Sequence, residues 1–360
     1  MFITIIVLII LFFSIGYTIL AFYFRRGYSR LRHSGPSDEK PQVTVIVPAH
    51  NEEDTLPHLL DCLSKQDYPE ENTEIFLVND RSTDLTAELM GGFVSQHQNT
   101  KVIHIDETPA GISPKKHALA LAIQSASGEI ILTTDGDASP KPGWITSMVR
   151  CYDETTGMVL GYAPYRTDGP FRSLFHRFLA LDYFAMGAIA AAGTGINHPV
   201  TCNGANLSYR KAVFDEVGGF GETAKWISGD DDLLLHRIHQ KTDWKIRYCT
   251  DRESAVFNDP PSTLWRFIRQ RIRFSSKHLA YPGKVKAVLS GIYLLHVLFL
   301  VLLGASCFSL IHLPYFLGLL GVKVICELIF LLPGQRLLEE RNLLPLYPLV
   351  FIPYLLYVVL

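Results

Sequence analysis

Residues 2–24, FITIIVLIILFFSIGYTILAFYF, contain no charged side chain. As a helix, a run of this length crosses a hydrocarbon core of about 30 Å, and a helix also satisfies its own backbone hydrogen bonds in lipid. A secretory leader would put basic residues ahead of a shorter apolar run and end at small residues. Here the basic residues follow, in RRGYSRLRHS from Arg25 to Ser34. That order predicts a retained anchor whose C-terminal side is cytoplasmic. Further apolar stretches at roughly 288–310, 313–333 and 343–360 predict three more spans. The loop GQRLLEERN, with Arg336 and Arg341, then falls on the cytoplasmic side, as positive residues should. Lys323 and Glu327 lie inside the third span, four residues apart on one helical face. Charges at membrane depth are functional candidates by default, but an internally paired couple facing other helices accounts for these two.

The formal net charge of −2 gives no electrostatic case for nucleic acid as a partner. Cysteines 62, 151, 202, 249, 307 and 326 have no CxxC spacing, which suggests a reducing compartment and no structural zinc. The segment between the outer spans reads as one α/β unit. Val43–Val47, Glu74–Val78, Lys101–Ile105 and Glu129–Thr133 are strand candidates, and Thr55–Gln66, Thr83–Met90 and Lys115–Ser125 have helical spacing between them. Such alternation predicts a mostly parallel sheet covered on both faces, with ligands bound at the carboxyl ends of its strands. Polar residues collect at those ends: His50-Asn51-Glu52 after the first, Asp80 after the second, Asp135 and Asp137 after the fourth.

Asp135-Gly136-Asp137 alone is a weak signal, since acidic turns are common. Two carboxylates about a glycine nonetheless suit Mg²⁺ or Mn²⁺, which would keep positions free for diphosphate oxygens. Further on, Gly229-Asp230-Asp231-Asp232 opens an apolar helix, where acids can simply favour the helix dipole. The ordered set VIVPAHNEE, VNDRSTD, KKHAL, DGD, NGANLSYR…GGF, GDDD and QRIRF is far more specific than any of its parts. Over roughly Gln42 to Phe274 it resembles family 2 glycosyltransferases, and with its flanking spans it most resembles the membrane-embedded cellulose, chitin and hyaluronan synthases.

The resemblance implies an inverting enzyme of the nucleotide-diphosphosugar transferase (GT-A) fold, flanked by transmembrane helices. Pro48, Ala49, Asn51 and Glu52 would border the base and ribose of the donor, and Asp80 would contact the uracil or its surroundings. Lys115 would lie near the donor phosphates, and Asp135 and Asp137 would hold the metal and diphosphate. Asp231 matches the general base of the family's Glu-Asp pair, with Asp230 in place of the glutamate and Asp232 as the alternative base. Asn203, Gly204 and Asn206 would border the acceptor. Gln270, Arg271, Arg273 and Phe274 match Q-x-x-R-W with Phe for Trp, which keeps a stacking face but loses the indole donor. That change puts processive synthesis in doubt more than transfer.

The expected division is an N-terminal transmembrane helix at 1–24, a basic cytoplasmic linker at 25–40 and a glycosyltransferase domain at 41–259. A basic amphipathic interfacial segment at 260–285 and a C-terminal transmembrane region at 286–360 complete it. The basic-aromatic stretches Phe171–Leu179 and Thr263–Lys277 suit the membrane interface. The expected setting is the plasma (inner) membrane with the catalytic domain cytoplasmic. The expected partners are a nucleotide-diphosphate sugar, with UDP as nucleotide, a saccharide or lipid-linked acceptor, the bilayer, and an oligomeric or membrane partner if a long product is exported. Rival expectations are a polyprenyl-phosphate glycosyltransferase of the same family, which would not need QRIRF, and a non-catalytic scaffold with a degenerate sugar-nucleotide domain.

Overall fold

The computed structural model describes residues 2–31, 39–340 and 342–359. Residues 32–38 of the basic linker and Arg341 lie outside the described residues.

Helix α1 (Phe2–Arg25) leads into the sheet domain. There β1 (Val43–Ala49), α2 (Leu56–Ser64), β2 (Thr73–Asp80), α3 (Thr86–Val94), β3 (Thr100–Ile105), α4 (Pro114–Ser125) and β4 (Ile130–Thr133) follow in turn. Next come β5 (Ala138–Pro140), α5 (Trp144–Val149), β6 (Thr156–Leu160), α6 (Leu174–Gly195), β7 (Leu207–Arg210) and α7 (Lys211–Glu216). The domain closes with α8 (Asp232–Lys241), β8 (Lys245–Tyr248) and β9 (Val256–Asn258). Helices α9 (Leu264–Ser275), α10 (Gly283–Phe308), α11 (Leu313–Leu337) and α12 (Tyr347–Val359) complete the described chain.

The seven-stranded sheet has the order β3-β2-β1-β4-β7-β6-β8. β1 runs parallel to β2 and β4, β2 to β3, and β6 to β8, while β7 is antiparallel to both its neighbours. The sheet is therefore mixed and mostly parallel. β1 is apolar on both faces because both are covered. Val43, Val45 and Val47 share a core with Leu56, Leu59 and Leu63 of α2. Ile46 belongs to the opposite core with Ala118, Leu119 and Ala122 of α4. β2 and β4 flank β1, so the connections leave β1 and β4 in opposite directions, which opens a crevice at their carboxyl ends.

A third core joins α1, α10, α11 and α12 through Ile10, Phe299, Phe316 and Leu355. The outer faces stay apolar, with Phe12, Ile19, Phe308 and Leu310 exposed, as suits lipid contact. Among the described residues, four helical stretches are long and apolar enough to cross a membrane: Thr4–Arg30, Leu174–Gly195, Gly283–Phe308 and Leu310–Leu337. This set differs from the one expected. Within the last apolar run the described residues form the turn Leu344–Leu346 and α12, a shorter apolar helical stretch than these four. The basic-aromatic stretch at 171–179 is only the start of α6, which continues through an Ala- and Gly-rich half to Gly195. Small side chains let that half pack closely, and α6 lies against β8, α11 and α1. The basic-aromatic α9 buries Phe267 and exposes Leu264, Trp265 and Ile272.

Candidate active site

A cavity of about 680 Å³ occupies the crevice at the strand ends and extends under α9. Its floor is built by loops that follow β1, β2 and β4. The first two loops knit to each other: the Asn51 side-chain oxygen accepts from the Thr83 N–H at 2.8 Å, and the Glu52 N–H donates to Thr86 at 2.8 Å. Asn51 and Arg81 both take positive φ there, at 57° and 56°. Asp80 faces the cavity, and Arg81 donates to both of its oxygens, at 2.8 and 3.3 Å.

In the loop after β4, Gly136 has an ordinary negative φ. It is small because a Cβ there would come within 3.1 Å of Glu52 and 3.2 Å of Ala49. Asp135 and Asp137 flank it and both line the cavity. Burial, then the charges of Asp135 and Glu52, push the Asp137 carboxyl up to about 7. Glu52 is also raised, by burial first. Lys115, in the first turn of α4, reaches across to Asp135 at 2.6 Å and to Asp230 at 2.9 Å. Burial opposes its charge, but the two carboxylates outweigh burial and raise it well above the usual lysine range.

The acid run supplies the opposite wall. Gly229 turns at φ +87°, where a Cβ would strike Leu233 at 2.6 Å. Asp231 then caps α8, accepting from the Asp232 N–H at 2.7 Å and from the Gly204 N–H at 3.2 Å. The capping role and the cavity position belong to one residue. Burial pushes Asp231 up, but Lys277, the Asp232 N–H and Lys115 outweigh it and hold the carboxyl at about 2. Asp232 lies deeper, and burial with the neighbouring Asp231 charge pushes it up to about 7. Gly204 packs closely here, since a Cβ would sit 3.0 Å from the Asp230 carboxylate and 3.4 Å from the Lys115 ammonium.

α9 forms the roof. Gln270 exchanges hydrogen bonds with the Tyr165 hydroxyl at 3.0 and 3.2 Å. Tyr165 stacks on Tyr183 at 3.9 Å, and Asn203 donates to the Tyr183 hydroxyl at 2.6 Å. Arg271 is ion-paired with buried Asp182 of α6 and lies over the rings of Phe267 and Phe274. Asp182 outweighs burial and keeps the Arg271 guanidinium firmly charged. Arg273 and Phe274 also line the cavity, and Tyr357 of α12 completes the wall.

Asp80, Lys115, Asp135, Asp137, Asn203, Gly204, Asp230, Asp231, Asp232, Gln270, Arg271, Arg273 and Phe274 thus share one cavity. Other expected site residues do not reach it. Asn206 is 0% exposed: its amide donates to Tyr162 O and Ser254 O at 2.7 Å and accepts from Trp144 at 2.9 Å. It braces the sheet instead of bordering the acceptor. Pro48, Ala49, Asn51 and Glu52 are not among the lining residues: Ala49 and Glu52 pack against Gly136, and Asn51 ties to the loop after β2. The amino-acid pattern carries one warning, of Asp182, a lone acid in an apolar run. It carries none of Tyr165, Tyr183 or Tyr357, which depend on tertiary contacts. Among the described residues, no three His, Cys, Asp or Glu side chains converge as a ready metal cage.

The family described as Glycosyl transferase family 2 matches residues 44–218. A probable glycosyltransferase, YdaM of Bacillus subtilis, is 26% identical over 240 residues, 66% of this chain and 55% of its own. A beta-monoglucosyldiacylglycerol synthase of Nostoc is 31% identical over 208 residues, 55% of this chain and 41% of its own. The chain spans about half the length of these relatives. A solved mannosyltransferase from Pyrobaculum calidifontis, in complex with GDP-Man and Mn²⁺, superposes with a TM-score of 0.58 at 20% identity, covering 98% of this chain and 97% of its own. At that identity the likeness speaks to fold, and the fold is the GT-A type.

Proposed function

Because this chain belongs to glycosyl transferase family 2 through residues 44–218, we propose that it transfers a sugar from a nucleotide-diphosphate donor to an acceptor hydroxyl at the cytoplasmic face of a membrane. The carrying observation is the convergence of Lys115, Asp135, Asp137, Asp231 and Arg271 on one cavity at the strand ends. The reaction is a single inverting displacement. Asp231 takes the acceptor's proton as the hydroxyl oxygen bonds to the anomeric carbon, and the bond from that carbon to the diphosphate breaks with its electron pair on the phosphate. No enzyme nucleophile is needed. Lys115, Arg271 and Arg273 meet the charge that builds on the leaving group.

Asp135 and Asp137 suit a Mg²⁺ or Mn²⁺ ion. Burial and neighbouring acids raise the Asp137 carboxyl to about 7, so a cation beside it would favour its charged form, and two carboxylates leave room for phosphate oxygens. Such an ion would neutralise the departing diphosphate as a Lewis acid. Asp80, which lines the cavity after β2, suits the base of the nucleotide, and UDP is the expected one. The Pyrobaculum enzyme carries GDP-Man and Mn²⁺, so guanosine sugars belong in the test beside uridine sugars.

Tyr357, from an apolar C-terminal helix, lines the cavity beside Arg271. That junction favours a lipid-linked acceptor over a soluble saccharide, and includes a polyprenyl phosphate. Gln270→Ala separates the two family readings, since only the synthase-like one needs Gln270. The direct test offers membranes containing the protein a panel of nucleotide sugars with and without Mn²⁺. Metal-dependent release of the nucleoside diphosphate from one donor is expected, and turnover and binding of none would refute the proposal.

A further inference from the structure

We propose that Lys277 is the positioning residue of the catalytic base, holding the Asp231 carboxylate charged and aimed into the cavity while it ties down Asp232 beneath. The proposal builds on Asp231 as the base and adds a residue that lies outside both QRIRF and the matched span 44–218.

Lys277 follows α9 and is only 7% exposed, so its ammonium is directed inward. The Nζ lies 2.7 Å from Asp232 Oδ2 and 3.4 Å from Asp231 Oδ1. Two adjacent buried carboxylates cannot both stay ionised without a cation between them. Among the described residues, Lys277 is the one ammonium ion-paired with both. Asp231 Oδ1 is occupied by Lys277 and the Asp232 N–H, whereas Oδ2 has only the Gly204 N–H at 3.2 Å. Oδ2 therefore keeps a lone pair for a substrate hydroxyl. The Tyr281 hydroxyl, four residues beyond Lys277, donates to Asp232 Oδ2 at 2.5 Å. The segment after α9 thus grips the acid run at two points, which links the roof of the cavity to its base.

The other groups around Asp231 do not replace this contact. Lys115 is engaged by Asp135 and Asp230. Lys116 is turned into the core, donating to Thr223 O at 2.7 Å and Ser228 O at 3.0 Å, and burial lowers it to about 8. Burial pushes the Cys202 thiol up and holds the His236 ring at about 4, so both are neutral at working pH. Burial and Lys277 likewise lower His278. With the ammonium present, the proton shared by the acid pair falls to Asp232 and leaves Asp231 charged. Without it, Asp231 is exposed to its neighbours' negative charge and competes for that proton.

The test uses the full chain in membranes with the nucleotide sugar the wild type turns over, comparing wild type with Lys277→Met, Lys277→Gln and Lys277→Arg. Met and Gln are expected to lower kcat on the order of 100-fold with donor KM within about threefold, and Arg to recover about tenfold of the loss. The deficit of Met and Gln relative to wild type should also widen, by about tenfold, as pH falls from about 8 to about 5, because Asp231 then protonates more readily. A ratio to wild type cancels any metal titration common to both. A variant kcat within about threefold of wild type overturns the proposal, as does a loss that is the same at every pH and not restored by Arg, which marks a merely structural lysine. If Lys277→Met does not fold, Lys277→Gln, which keeps a hydrogen-bond donor without the charge, decides the same question. An active wild type with equally active variants refutes this proposal alone, whereas a wild type that turns over no nucleotide sugar refutes the reading of Asp231 and this proposal with it.

Discussion

Two buried lysine–carboxylate clusters lie in this molecule, one within the helical bundle and one in the sheet domain, and they are built to opposite rules. In the helical bundle, Lys323 is 2% exposed and bonds Glu327 at 2.5 Å. Tyr17 donates to Glu327 at 2.6 Å, Tyr347 donates to its other oxygen, and the Lys323 ammonium lies 4.9 Å over Phe351 and 5.3 Å over Tyr17. Charge matches charge, and the remaining lone pairs and donors are met by hydroxyls and ring faces. In the sheet domain, Lys115 and Lys277 face Asp135, Asp137, Asp230, Asp231 and Asp232 across a cavity. There the acids outnumber the lysines, and Asp232 Oδ1 is buried with no hydrogen-bond partner among the described residues. A closed, balanced cluster specifies packing, whereas an open and unbalanced one marks a site that a cation or substrate completes. Buried charge alone therefore does not identify a functional site; surplus charge beside a cavity does.

Substitutions should separate the two clusters. Lys115→Met leaves Asp135 and Asp230 facing each other, and transfer should fall on the order of 1,000-fold with little loss of melting temperature. A similar loss of stability in place of activity would make the open cluster structural as well. Glu327→Gln should do the reverse, costing about 3–5 kcal/mol in unfolding because a buried charge loses its partner. The fraction that folds should turn over at close to the wild-type kcat, and a selective fall in kcat would give the bundle pair a catalytic role. Mn²⁺ affinity, read by titration without donor, should weaken about tenfold per pH unit below about 7. Asp137 is raised, so its proton is held up to about 7 in the folded protein and metal must displace it below that pH. A flat profile between about pH 5 and 7 would remove Asp137 from the metal site. Phe274→Trp should change the single-transfer rate least, within about threefold, since both rings stack and only the indole N–H is added; product length reports any gain in processivity.

Much of the site was legible because its parts lie at chain positions that topology fixes. Asp80 and Asp135 follow apolar strand runs, and a parallel sheet brings such ends together. The DGD, GDDD and QRIRF stretches are close enough to their strands and helices to be placed by sequence. What was not legible depends on distant partners. Asn206 looked like a site residue by its motif, but the direction of its side chain follows from Trp144, Tyr162 and Ser254, which no local pattern reveals. Lys277 read as one more basic residue on an interfacial stretch, because only the fold carries it beneath the acid run. α6 was cut short because its Ala- and Gly-rich half has too little amphipathic contrast to register as a packed helix. In the last apolar run, α12 begins only after the turn Leu344–Leu346, a boundary that composition does not reveal.

The central claim, that Asp231 is the base of a nucleotide-sugar transferase, is tested most directly by Asp231→Asn with transfer and donor binding measured on the same preparation. The account predicts donor affinity within about threefold of wild type and transfer lower by about 10²–10⁴-fold, the usual contribution of a general base. Transfer that persists at the wild-type rate, or donor binding that vanishes together with transfer, would contradict it.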